Sequence, residues 1–258
     1  MILALMNNKG GVAKTTTAVN LAAALAGRGY HVLLIDLDNQ GGASASLGVA
    51  RTDRSPSLAD VLLDNVPLRQ VIRPMSLTGL DLVTGSMTLA NVDIILGDVK
   101  GRERCLQQAL LPVRNDYDFI LLDCPPSLSL LPLNALVACD AFIVPVTPHY
   151  LALEGLANLL EAIARLKTVI GITPILLGIV LTLVDNRAKA TRDVIDRIRG
   201  QYGSLVFTTQ IHINVRLAEA PAFGQSIFTY DASAAGAEAY RSLADEVLAR
   251  YQQQASKS

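Results

Sequence analysis

The chain has 258 residues, 51% of them hydrophobic and 17% charged, with a net charge of −1. That apolar content excludes a disordered chain, and the near-zero charge gives no global sign of nucleic-acid binding. A mean hydropathy of +0.37 raises the question of a membrane protein, but no stretch offers ~18 apolar residues free of breakers.

In chain order, residues 2–6 predict a first strand and residues 14–26 a helix after it. Further strands are predicted over 32–36, 80–84, 119–123, 141–146 and 176–183. These runs are almost continuously apolar, which suits strands buried on both faces of a parallel sheet. Helical periodicity marks 154–169, 188–201 and 232–251. The stretch 49–79, with Pro56, Pro67 and Pro74, reads as short helices, not a domain boundary. The alternation predicts an α/β fold with a doubly wound, mostly parallel central sheet flanked by helices. Residues 1–251 are expected to form one domain and 252–258 a flexible tail. Residues 1–6 are too short and lack the basic leader of a signal peptide. Cys105, Cys124 and Cys139 show no C-x-x-C spacing, which argues for a reducing cytoplasm and against a zinc or iron–sulfur site.

The strongest local signal is N-N-K-G-G-V-A-K-T-T, Asn7 to Thr16, between the first strand and its helix. Glycines Gly10 and Gly11 let backbone N–H groups turn inward into an anion nest, and the helix N-terminus adds its free N–H groups and dipole. Lys14 is placed to reach the β- and γ-phosphates and the Thr15 hydroxyl to bind Mg²⁺. The plain G-x-x-x-x-G-K-[ST] pattern does not fit: Asn8 and Ala13 stand where glycines belong, and a second lysine, Lys9, lies inside the loop. The run 32–38 is a buried strand ending in Asp36 and Asp38, which alternate and so share a side; the bland alternative is that they cap the following turn. Phe119-Ile120-Leu121-Leu122-Asp123 reads as a second phosphate-site strand, its aspartate holding Mg²⁺ through water.

The loop K-G-G-V-A-K-T-T, with its extra lysine, resembles the deviant Walker A motif of the ParA/MinD family of P-loop ATPases. The resemblance extends to 130–138, to Ala152-Leu153-Glu154-Gly155-Leu156, and to Asn214-Val215-Arg216-Leu217-Ala218-Glu219-Ala220-Pro221. It implies an ATP- and Mg²⁺-dependent ATPase whose nucleotide is cradled by Lys9, Gly10, Gly11, Val12, Ala13, Lys14, Thr15 and Thr16, with Asp123 beside them. It implies that Lys9 crosses an ATP-sandwich homodimer to the partner's nucleotide, that Asp38 orients the attacking water, and that Asp36 supports the metal shell set by Thr15 and Asp123. The family usually has glycine at the Ala13 position; if that position needs a positive φ, alanine costs on the order of 1 kcal/mol. Where the family usually has Pro-Arg, this chain has His212-Ile213; His212 either stacks on the base or is a partly exposed turn residue.

The chain starts at strand one, without the operator-binding domain of the long plasmid branch, so it resembles the short, Soj-like ParA type. Such proteins bind double-stranded DNA without sequence preference. Between positions 187 and 216 lie six cations, including Arg187, Lys189 and Arg216, opposed only by Asp193 and Asp196. That local excess of roughly +4 suits phosphate contacts; a solvated helix face with pairs such as Asp193–Arg197 is the alternative. The implied role is a cytoplasmic, nucleoid-associated partition ATPase, segregating or positioning plasmid or chromosomal DNA with a ParB-like activator of hydrolysis. The competing readings are a MinD-like membrane ATPase, a ParA that positions a non-DNA cargo, and a metabolic synthetase on the same fold. The mixed charges of 241–250 do not suit a lipid-inserting helix, so no stable membrane association is expected.

Overall fold

A computed structural model describes residues 1–127 and 129–255. Its centre is an eight-stranded sheet in the order β3-β4-β2-β5-β1-β6-β7-β8. The strands are β1 Ile2–Leu5, β2 Val32–Asp36, β3 Ile72–Pro74, β4 Leu80–Val83, β5 Phe119–Asp123, β6 Ala141–Val146, β7 Ile175–Val184 and β8 Val206–His212. Every pairing is parallel except β3 with β4. Strands β1, β2, β5 and β6 are buried at every position, as unbroken apolar runs require when both faces are covered.

The helices are α1 Lys14–Ala26, α2 Gly42–Ser46, α3 Leu58–Asp64, α4 Val92–Ile95, α5 Cys105–Leu110, α6 Leu130–Ala138, α7 Ala152–Ile170, α8 Lys189–Tyr202, α9 Val215–Glu219, α10 Ile227–Tyr230 and α11 Ala235–Ala255. They form two layers. On one face Leu33, Ile35, Ile120 and Leu122 pack with residues of α3 and α5 to α8. On the other, Leu3, Leu5, Leu34 and Leu121 pack with α1 and α11. Helix α1 is alanine-rich and buried along most of its length, because it is wedged between the sheet and α11. Its Thr17 hydroxyl shares a hydrogen bond of 3.2 Å with the fully buried Tyr240.

The order places the reversal of strand connection at β1, where β5 lies on one side and β6 on the other. Ligands bind at such switch points, outside the carboxyl ends of the strands. In register, Leu5 and Asp36 both face Asp123, so the ends of β1, β2 and β5 converge beside the loop at Asn7.

The expected doubly wound α/β architecture is what the molecule has. Two strands escaped the sequence reading. Strand β8 mixes Thr208, Thr209 and Gln210 into its run, because it is an edge strand. The backbone N–H groups of Thr208 and Thr209 donate to the Glu246 carboxylate of α11, at 2.8 and 2.6 Å. Strand β3 is three residues ending in Pro74, at the other edge, where proline is tolerated. The flexible tail expected over 252–258 is corrected in part: α11 runs on to Ala255, and 256–258 lie outside the described residues.

Candidate nucleotide site

The loop after β1 is braced at its entry. Asn7 donates through Nδ2 to the Pro145 carbonyl of β6 at 2.7 Å, and its Oδ1 accepts from the Lys9 amide at 3.0 Å. Further on, Thr182 of β7 donates to the Val12 carbonyl at 3.0 Å. Between these anchors the backbone turns through positive φ at Gly11 (70°) and Ala13 (56°). Such alternation points successive N–H groups into one concavity. A Cβ built on Gly10 or Gly11 meets nothing within 4 Å, so the hollow over the loop is open. Helix α1 starts at Lys14 with no side-chain cap, leaving its first N–H groups directed at that hollow. The positive φ at Ala13 is the condition under which alanine is unfavourable, by ~1 kcal/mol against glycine.

Lys14 is buried, and its ammonium donates to the Lys9 carbonyl at 2.8 Å. Burial pushes its pKa below the ordinary value, opposed chiefly by Asp123. Asp123 is completely buried and neither carboxylate oxygen has a hydrogen-bond partner among the described residues. Burial, and then the neighbouring Asp36, push its pKa well above the usual carboxylate range, while Lys14 and the Thr15 hydroxyl, which is close by but outside hydrogen-bond geometry, pull the other way. A buried, unpartnered carboxylate is expensive; a divalent cation held through water removes that penalty. The orphaned Asp123, the Thr15 side chain facing Gly42, the open loop and the buried Lys14 together fit a nucleoside triphosphate with Mg²⁺. Among the described residues no group of three or more His, Cys, Asp or Glu forms a metal cage, and Mg²⁺ bound with substrate phosphates needs none.

Asp36 is held by a network of its own. Its Oδ2 accepts from both the amide and the hydroxyl of Ser44, at 2.8 and 2.7 Å, and its Oδ1 accepts from the Asp38 amide at 3.2 Å. The Ser44 hydroxyl in turn accepts from the Gly85 amide at 3.1 Å. Both oxygens of this buried carboxylate are therefore engaged in fixing α2 and the turn before it. In this structure Asp36 braces that turn, and burial pushes its pKa up to about 6. Asp38 is half-buried; its Oδ1 accepts from the Gln40 amide at 2.9 Å and its carbonyl from the Gly41 amide at 2.9 Å.

Lys9 lies away from the hollow. Its ammonium donates to the Leu151 carbonyl, ahead of α7, at 2.8 Å. It passes over Gly155, where a Cβ would stand 2.4 Å from Nζ. His212 is exposed at the end of β8, its Nδ1 3.3 Å from the Val184 carbonyl. Leu183 beside it holds a positive φ of 51°, an outlier for a leucine.

The basic segment is less charged than its sequence window suggested. Arg187 is an exposed side chain bonded through Nε and Nη2 to Asp185, each at 2.8 Å. These bonds push the Asp185 pKa down to about 2. Arg216 pairs with Glu219 at 2.9 Å and approaches Asp231 at 3.6 Å. Asp185, Glu219 and Asp231 lie outside the 187–216 window, which is why the window overstated the excess. Lys189 is exposed at the start of α8.

Sequence reasoning passed over Asn7, Ser44 and Arg54. An amide residue at the end of a strand and a serine eight residues beyond Asp36 were the available signals for the first two; Arg54 gave none.

A family model described as "AAA domain" matches residues 1–173. The chain is 41% identical over 259 residues to the chromosome partitioning protein ParA of Caulobacter vibrioides, covering 100% of this chain and 97% of the relative. The chain belongs to the ParA/Soj family. It is also 43% identical over 251 residues to the chromosome-partitioning ATPase Soj of Thermus thermophilus, covering 97% and 96%. A solved structure described as cobyrinic acid a,c-diamide synthase from Mycobacterium smegmatis, with bound ADP and magnesium, superposes with a TM-score of 0.84. It is 33% identical and covers 97% of this chain and 95% of that one. No helix among the described residues of this ParA/Soj chain is long and apolar enough to cross a membrane.

Proposed function

We propose that this chain is a chromosome-partitioning ATPase that binds ATP and Mg²⁺ and closes into a dimer with Lys9 donated across the interface. It holds double-stranded DNA without sequence preference and is driven to hydrolyse by a ParB-like partner. The observation that carries this is the pairing of two lysines in one loop, Lys14 buried in the phosphate hollow and Lys9 outside it, opposite the unpartnered carboxylate of Asp123.

The roles follow from position. Lys14 and the α1 N-terminus bind phosphate; Thr15 and, through water, Asp123 hold the metal; Asp38, on the turn beside them, orients water. Bound Mg²⁺ supplies charge neutralisation on the transferred phosphoryl group. Lys9, released from Leu151, adds a second cation there, as an arginine finger does. The loss of the γ-phosphate then reverses closure, so the nucleotide is the switch. Arg187, Lys189 and Arg216 are the DNA contacts in this reading, and His212 is a base contact.

The likeness to the diamide synthase favours a second reading, an ATP-dependent synthetase acting on a small carboxylate. Light scattering of the parent and of Lys9→Ala, with and without ATP·Mg²⁺, tests the proposal. ATP-dependent dimers of the parent that Lys9→Ala fails to form support it. Turnover that depends on an added small carboxylate and proceeds in the monomer contradicts it.

A further inference from the structure

Arg54 directly follows the short helical turn Arg51–Asp53 after α2, and only 7% of it is exposed. A buried guanidinium is costly unless its charge is answered, yet among the described residues it forms no ion pair. Its partners are main-chain carbonyls. Nη1 donates to Gln40 at 3.0 Å and Nε reaches Val49 at 3.5 Å. Its own carbonyl accepts from the Thr84 hydroxyl at 2.6 Å, which fixes the backbone from which the side chain reaches out.

The target of that reach is the turn carrying Asp38. Gln40 stands between the two residues: its amide donates to Asp38 Oδ1 and its carbonyl accepts from Arg54. Gly41 follows with φ 64°, and a Cβ there would lie 1.9 Å from Arg54 Nη1 and 2.6 Å from Cζ. The guanidinium, its Nη1 end nearest, therefore lies against the glycine, in space that a side chain there would occupy. Gly85 also closes on the same turn, since a Cβ at Gly85 would stand 2.6 Å from the Asp38 carbonyl and 2.9 Å from Asp36 Cγ. Asp36, Gly85 and Arg54 all bear on this turn.

We infer that Arg54 is a positioning residue for hydrolysis, holding the turn from Asp38 to Gly41 so that the Asp38 carboxylate keeps its aim. The inference rests on the reading of Asp38 as the group that orients water. Arg54 touches neither phosphate nor metal in this role; it acts through Gln40. Loss of aim by about 1 Å is enough to lower a rate ~100-fold while leaving ground-state binding alone. Lysine in its place keeps a donor for the Gln40 carbonyl but loses the guanidinium's contact with Gly41 and its second donor.

The test compares Arg54→Gln, Arg54→Lys and Asp38→Ala by steady-state ATP turnover, by binding of a fluorescent ATP analogue with Mg²⁺, and by thermal melting. The expected result for Arg54→Gln is a kcat at least ~10-fold lower, nucleotide affinity within about twofold of the parent, and partial recovery of kcat in Arg54→Lys. Gly41→Ala, which displaces the guanidinium without touching its charge, is expected to lower kcat in the same way. Parental kcat in Arg54→Gln, with Asp38→Ala inactive, overturns the inference. So does a loss of turnover matched by an equal loss of nucleotide affinity, which marks a merely structural residue. Parental turnover in Asp38→Ala overturns the reading of Asp38 on which the clamp depends, whatever Arg54 does.

Discussion

The Lys9 ammonium donates to the carbonyl of Leu151 in its own chain, 2.8 Å away. Gly155, in the first turn of α7, supplies the space: a Cβ there would lie 2.4 Å from Nζ and 2.5 Å from Cε. The lysine that the proposed dimer needs is thus stowed in cis, and closure must break this bond before the side chain can cross. Gly155→Ala evicts Lys9 from the seat. Alanine also suits a helix better than glycine, so the fold is expected to survive. ATP-dependent dimers of Gly155→Ala are expected at lower protein concentration than for the parent, measured by light scattering across a dilution series. Dimerisation unchanged or weakened shows that the seat does not compete with closure.

Ala13 holds φ 56° where a side chain is disfavoured. Ala13→Gly is expected to stabilise the nucleotide-free protein by ~1 kcal/mol, a rise of roughly 2–4 °C in Tm for a domain of this size. Melting with and without ATP·Mg²⁺ measures it. A lower Tm indicates that the methyl group contributes packing that outweighs the strain.

Asp123 and Asp36 are buried carboxylates whose pKa values are raised on folding. A raised folded pKa means that the folded state holds the proton more tightly than the unfolded one. The stability contributed is complete below the ordinary carboxylate value and is lost as pH rises through the folded value, about 6 for Asp36. Without Mg²⁺ the protein is therefore expected to lose stability as pH climbs from about 4 through 6 and beyond. Asp123→Asn removes one of the two charges, so its Tm in chelator at pH 8 is expected to exceed the parent's by several degrees, an unpaired buried charge costing more than ~1–3 kcal/mol. The same variant is expected to lose Mg²⁺-dependent turnover. Equal melting of parent and variant in chelator contradicts the burial argument.

Arg187 is tied to Asp185 and Arg216 to Glu219. If these arginines bind phosphates, releasing them strengthens binding. Asp185→Asn is expected to raise the affinity for non-specific duplex DNA, and Arg187→Glu with Arg216→Glu to abolish it. Every DNA phosphate that an arginine neutralises steepens the slope of log K against log salt by about 0.9. A salt titration that is the same for Asp185→Asn and the parent removes Arg187 from the DNA surface.

The sheet and the phosphate loop were legible because each is written in consecutive residues. Unbroken apolar runs mark β1, β2, β5 and β6, and the K-G-G-V-A-K-T-T run sits between strand and helix. Strand β8 was illegible because the amides of Thr208 and Thr209 are answered by Glu246, 38 residues beyond Thr208. Asp36 and Asp38 look alike in sequence, two carboxylates on one side of a strand end. What separates them is Ser44, whose amide and hydroxyl claim Asp36 and leave Asp38 at the turn. The charge of the basic segment was not legible from its window, since Asp185, Glu219 and Asp231, which pair with Arg187 and Arg216, lie outside positions 187–216.

Complementation between two defective chains tests the trans role of Lys9 most directly. In the proposed mechanism Lys9→Ala lacks the crossing cation and Asp38→Ala the water-orienting carboxylate. A mixed dimer contains one site with Asp38 from one chain and Lys9 from the other. Neither variant alone is expected to hydrolyse ATP, and their mixture is expected to recover part of the parental turnover. Lys9→Ala that dimerises and hydrolyses ATP like the parent by itself contradicts the account.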